Sequence, residues 1–246
     1  VTLRRASLLL SGSVPAAAAL CHAQQSEAGL REQVLATMHG TVFRDFIIRN
    51  ADDRLLVQGL LNGLDFNIQV RDRYPDLAEM ALSLPEERPE EYQGFHENPF
   101  LTSGNVHREV TRAVSREPLE LIAHIIMNDL PYSEVLTADY TMVNQFSAMA
   151  YRADVTFDEP MYDDDGFYDR SRLNMFKPAK NSGHIPRIND NIVDQDAEVY
   201  SIAEYHDWPH AGVLSTPAWL TRYPSTDTNR NRARARWTYY QFLGVD

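Results

Sequence analysis

The stretch from Pro209 to Asp246, PHAGVLSTPAWLTRYPSTDTNRNRARARWTYYQFLGVD, constrains the fold more than any other, because several local signals agree there. Thr226, Asp227, Thr228 and Asn229 form a polar cluster suited to capping a helix start. A helical run follows, in which Trp237, Tyr240 and Leu243 fall on one face, and Gly244 stands where helices commonly stop. That apolar stripe needs a partner, either the rest of the chain or a neighbour.

Arg230, Arg232, Arg234 and Arg236 alternate with Asn231, Ala233 and Ala235 in the same run. A spacing of two spreads side chains around a helix, since each step turns roughly 200°. A strand would gather all four on one side, but Ala and Arg favour helix. The arginines could form an anion or nucleic-acid patch. Alternatively, they pair with the acidic remainder of the chain and cover its seams. A formal net charge of −12 favours the second reading. Arg230, Arg234, Trp237 and Tyr240 are accordingly candidate partner-binding residues.

The 246 residues allow one large domain or two small ones, and 43% hydrophobic content is enough to form a core. Thirty-five acidic residues against 23 basic ones argue against nucleic acid as the main partner. No run approaches the ~18 apolar residues of a spanning helix, so the chain is not expected to cross a membrane. The single cysteine, Cys21, excludes an internal disulfide, a thiolate zinc cluster and covalent haem attachment within these residues. Beside His22 it could be a nucleophile; burial as a small apolar residue is the expectation.

The opening residues combine Arg4 and Arg5 with an apolar run and alanines before Cys21, in the manner of an export signal. Gly12 and Pro15 interrupt that run, and Leu20 suits a lipoprotein junction poorly. Two short helices are expected instead, Leu3 to Leu10 and one opening near Pro15, with any export signal upstream of Val1.

Helices dominate the chain from Ser26 to Tyr151. Residues 26–38 carry a Ser26 cap and an apolar side at Leu30, Val34 and Leu35. Thr41 to Leu61 continues with Phe43, Phe46, Ile47, Leu55 and Leu56, and a break is expected at Asn50–Asp52. After a polar, Pro-rich connection at 85–99, two helices are expected at Val106–Arg116 and Pro118–Asn128, divided at Glu117-Pro118. The second is the most apolar of the chain, and His124 on it reads as a hydrogen-bonded core residue. Residues 133–151 read as helical with Ser133 as cap. Asp139, Tyr140 and Asn144 could form a polar site there, or satisfy backbone at a helix junction.

From Asp154 to Asp196 no period is sustained, and the aromatics Phe157, Tyr162, Phe167, Tyr168 and Phe176 indicate packing on something. Asp163, Asp164 and Asp165 before Gly166 are candidate calcium ligands, although the EF-hand spacing is not met; an Asp-rich solvated turn is the alternative. His206 and His210 flank Pro209, which opposes one continuous helix through both; either could sit beside a redox cofactor held elsewhere. The expected architecture is mainly α. It is a multi-helix orthogonal bundle over 1–153, an irregular insertion at 154–196, and a helical segment at 197–246 packing back on the first part or on a partner. No residue set specifies a reaction, and whether the chain is an enzyme stays open.

Three blocks carry a resemblance: LRRASLLLSGSVP, PLELIAHIIMNDLPYSEVLTADYTMVN and HAGVLSTPAWLTRYPSTDTNRNRARARWTYYQFLGVD. In content and order they resemble the large exported proteins of planctomycete-type cytochrome c architecture, built from adjoining domains of unknown function. In such proteins a Cys-x-x-Cys-His haem-attachment segment comes after the arginine-rich helix. The resemblance implies a periplasmic, outer-membrane-associated or extracellular redox assembly, of which these residues would be the helical, haem-free portion. Haem c would then be supplied by the continuation of the chain or by a partner, near His206 or His210. The alternative is a non-catalytic binding or scaffold module, calcium-stabilised through the 154–196 region.

Overall fold

A computed structural model of the chain describes residues 1–57, 103–151, 153, 155–158, 172–180, 185–186, 205–206, 210–223, 228 and 232–245. The fold they form is mainly α, as expected. Its order is α1 (Thr2–Ser11), α2 (Ala17–Gln25), α3 (Glu27–Leu35), α4 (Gly40–Leu55), α5 (Ser103–Met127), α6 (Glu134–Thr137), β1 (Thr141–Val143) and α7 (Gln145–Tyr151). A 3₁₀ turn at Arg172–Asn174, β2 (Lys177–Ala179), β3 (Ile185–Pro186) and β4 (Tyr205–His206) come next. α8 (Pro217–Arg222) and α9 (Arg232–Thr238) come last, with α9 running into a π-helical turn at Tyr239–Leu243.

The first twenty-five residues form the two expected short helices. α1 turns Leu3 and Ser7 inward and ends at Gly12, whose φ of 65° is left-handed. Ser26 caps α3 by accepting from the Gly29 amide at 2.9 Å. α2 lies across α3 and buries none of its own residues. Cys21 is therefore exposed, against the expectation of burial. The α2–α3 seam is closed instead by His22, whose Nε2 meets Glu32 at 3.3 Å and whose ring lies against Gly29.

α5 is the central element, packed by α4, α7, α8 and β1. The expected division at Glu117-Pro118 is absent: Pro118 lies inside one 25-residue helix. An interior proline costs roughly 3 kcal/mol. Here Val110, Ala113 and Val114 before it and Leu119, Leu121 and Ile125 after it are all buried. Each such aliphatic side chain contributes roughly 1.5–3 kcal/mol when buried, so packing on both sides outweighs the local penalty. α4 is likewise continuous through Asn50–Asp52, because Ile47, Ile48, Ala51 and Leu55 form one buried face. The Asn50 side chain folds back onto the Phe46 carbonyl at 2.8 Å, inside the helix. The α4–α5 seam also holds a buried ion cluster, in which Glu120 accepts from both Arg44 and Arg116.

Residues 133–151 are not one helix. Ser133 makes no side-chain cap, α6 ends after one turn, and Thr141–Val143 pair antiparallel with Lys177–Ala179. The 154–196 region thus lends the helical part a strand. Of its aromatics, Phe176 packs against the core and Phe157 lies under Lys177 at 5.3 Å. Tyr162, Phe167 and Tyr168 lie outside the described residues. Asn144 serves a helix junction: its Oδ1 accepts from the amides of Phe146 and Ser147 and starts α7.

Candidate functional site

Two places on the described structure combine exposure or unmet bonding with chemistry. The first is built by α8, α9 and the turn after it. Thr216 caps α8 and Pro217 comes next at the first helical position, seating Trp219 fully in the core. Trp219 packs tilted against Tyr223 (4.5 Å between centroids, 58° between planes) and against Phe242 (5.5 Å). Tyr223 stacks on Trp237 at 5.3 Å, and Trp237 meets Tyr240 edge-on at 5.7 Å. This aromatic ladder runs from the interior to the surface, where Trp237, Tyr239, Tyr240, Leu243 and Val245 are exposed. Arg234 locks α9 to the end of α8, its Nε donating to the Tyr223 carbonyl (3.0 Å) and its Nη2 to that of Leu220 (3.1 Å). Those carbonyls belong to a helix C-terminus, where a cation is favoured, and burial lowers the Arg234 pKa. Gln241 ties the turn to α4 through the Arg54 carbonyl at 2.9 Å, and Gly244 ends it at φ 66°.

Between the end of α4 and this turn lies a groove of about 760 Å³, lined by Asp53, Arg54, Leu56, Arg236, Trp237 and Tyr240 among others. Leu56, left-handed at φ 53° and half exposed, forms its far wall. The expected stripe of Trp237, Tyr240 and Leu243 is therefore present, anchored from beneath and open above. Arg230 and most of the expected capping cluster lie outside the described residues.

The second place is internal. Glu117, on the buried stripe of α5, is fully enclosed. Its Oε2 accepts from Thr141 Oγ1 at 3.3 Å, while Oε1 has no well-formed hydrogen bond among the described residues. Burial pushes its carboxyl well above the usual range; the Tyr151 hydroxyl, in looser contact, and Thr141 pull it back only in part. Beside it is a cavity of about 10 Å³ lined by Glu117, Thr141, Tyr151, His210, Ser215, Thr216 and Pro217. His210 is half-buried, and burial lowers its pKa against the opposing pull of Asp139.

The segment carrying His210 is held by Gly212, whose amide donates to the Ala138 carbonyl at 2.9 Å. At φ 53°, a Cβ on Gly212 would lie 2.1 Å from the Val135 carbonyl oxygen, so only glycine fits. Asp139 pairs with Lys180 at the surface, which lowers its pKa. Glu117 was legible as no more than a residue before proline. The signal for it is its place on the stripe of Val110, Ala113, Val114 and Leu121, where a carboxyl is out of keeping.

His206 and His210 do not share a helix: His206 lies on β4 opposite Ile185, and His210 precedes the turn into α8. His124 is half-buried, with Nδ1 3.2 Å from Asn128 Nδ2 and its ring edge-on to Tyr140. Tyr140 donates to Glu134 at 3.0 Å, and burial together with that carboxylate pushes its pKa to about 12. Asp163, Asp164 and Asp165 lie outside the described residues, among which no cluster of His, Cys, Asp or Glu could hold a metal. No described helix is long and apolar enough to cross a membrane. No family model matches the chain, and neither does any curated protein or solved structure.

Proposed function

We propose that this chain is the helical, haem-free portion of an extracytoplasmic, c-type-cytochrome-associated assembly, and that it serves as a docking module. The occupant of its groove is the haem-bearing segment that comes after the arginine helix in the proteins it resembles. The observation that carries the docking half is the shelf of Trp237, Tyr239, Tyr240, Leu243 and Val245, exposed together beside a groove. Solvent-facing aromatics held rigidly from beneath are what a binding surface needs, since little freedom is lost when a partner covers them. Arg54 and Arg236 line the groove together with Asp53, so its wall carries charges of both signs beside the aromatic shelf. The redox half rests on the sequence resemblance.

The test has two arms. The native polypeptide is purified and its intact mass and visible spectrum recorded; a c-type Soret band in it, or in a copurifying partner, is expected. Absence of haem from both would remove the redox half. In the second arm, Trp237→Ala/Tyr240→Ala is compared with the unaltered chain for binding to the isolated haem-bearing segment. Aromatic anchors are worth roughly 2 kcal/mol or more each, so the double variant should lose about 4 kcal/mol, roughly 800-fold in affinity, with the helical signal unchanged. Equal binding would remove the docking half.

A further inference from the structure

We propose that Glu117, His210 and the cavity they both line form an internal proton-exchange site, with Glu117 as the proton store and His210 as its outlet to solvent. This goes beyond the docking reading and does not depend on it, because the site lies in the α5–β1–α7 interior and not at the groove.

Three observations converge. Glu117 is fully buried and lines the cavity, with Oε1 making no well-formed hydrogen bond among the described residues and only the looser contact of the Tyr151 hydroxyl near the carboxyl. The Thr141 and Tyr151 hydroxyls only partly replace the hydration that burial takes from an ionised carboxylate there, whereas the neutral acid can donate its O–H into the cavity. The cavity is also polar-walled. Ser215 Oγ donates to the Gly212 carbonyl (3.1 Å) and accepts from the Ala211 amide (2.9 Å), while Thr216 Oγ1 donates to the Val213 carbonyl (2.7 Å) and accepts from the Trp219 amide, so each hydroxyl oxygen lining the cavity keeps one further lone pair. A volume of about 10 Å³ with such walls has room for one water held by several partners, unlike an apolar void that stays dry. Finally, His210 lines the cavity, is half-buried, and feels the exposed Asp139–Lys180 pair at the surface.

The groups around Glu117 leave its proton uncontested. From β1 comes Thr141, from α7 Tyr151 and from the α8 approach His210, Ser215 and Thr216. Glu120, one turn along α5, is turned to Arg44 and Arg116. Asp139 and Lys180 act on His210, and the groups acting on Glu117 itself are the neutral Tyr151 and Thr141.

The step balances as a proton relay. Glu117 gives its carboxyl proton to the cavity water as that water gives one of its own to the His210 imidazole, producing carboxylate and imidazolium. Imidazolium then releases the proton to solvent beside Asp139, and the net change is one proton lost by the protein. Reversal reloads Glu117.

The experiment is infrared difference spectroscopy on the full chain in H₂O and D₂O. A buried carboxylic-acid C=O band is expected at neutral pH, lost in Glu117→Gln and downshifted by deuteration in the unaltered chain. His210→Asn should slow the H/D exchange of that band at least tenfold while leaving its pH midpoint in place, a kinetic readout that a merely structural histidine would not move. Should Glu117→Gln fail to fold, Thr141→Val identifies the band instead, since it removes the donor to Oε2 and shifts the frequency. Absence of a protonated-acid band at neutral pH, a band indifferent to both substitutions, or exchange unchanged in His210→Asn would each overturn the proposal.

Discussion

Replacing Glu117 by Gln should change the pH dependence of stability in a direction set by its surroundings. The native carboxyl titrates above its unfolded value, so between the two the folded state binds more protons than the unfolded one. Stability rises with pH only where the unfolded state binds more, so Glu117 makes it fall. The contribution is fully present below the ordinary carboxylate value of 4.5 and is lost as pH rises through the native one. The slope is about 1.4 kcal/mol per pH unit over that window. Gln keeps the volume and stays neutral, so the variant lacks this slope. Below the window it should be less stable by about 1 kcal/mol, because an amide replaces a hydroxyl donor in a fitted site. Through the window the difference should shrink and then reverse by roughly 1.4 kcal/mol per unit, levelling off once the wild-type carboxyl is ionised. Urea denaturation of both proteins from about pH 4 to pH 9 measures it, with the wild-type-minus-variant difference cancelling every other titrating group. A difference that stays flat, or that grows in favour of the wild type as pH rises, would refute the assignment of Glu117 as a buried neutral acid.

The packing sets the remaining expected outcomes. Glu120→Ala removes the acceptor shared by Arg44 and Arg116 across the α4–α5 seam. Both arginines are about one-quarter exposed, so the loss should sit near the lower end of the range for broken buried pairs, about 3 kcal/mol by denaturant titration. Gly212→Ala should cost roughly 3 kcal/mol or prevent folding, because its Cβ meets a carbonyl oxygen and φ is left-handed. Gly244→Ala, left-handed but open to solvent, should cost only about 1 kcal/mol, and thermal melts of the pair separate clash from backbone preference.

Local sequence determined the elements whose signals are contained within a few residues. The Ser26 cap, the Gly12 and Gly244 stops, the paired opening helices and the α9 stripe all depend on i to i+4 relations, and these can be read along the chain. Tertiary structure decided the rest, because it supplied energies larger than the local preferences. Burial on both sides carried α5 through Pro118, and one inward face carried α4 past Asn50. A strand at 177–179, distant in sequence, turned Thr141–Val143 from helix to sheet. Glu117 and His210 lie far apart along the chain. The Gly212 and Val213 amides, bonded to the Ala138 and Val135 carbonyls, and the packing of α8 on α5 bring them to one cavity, and no spacing rule reaches that far.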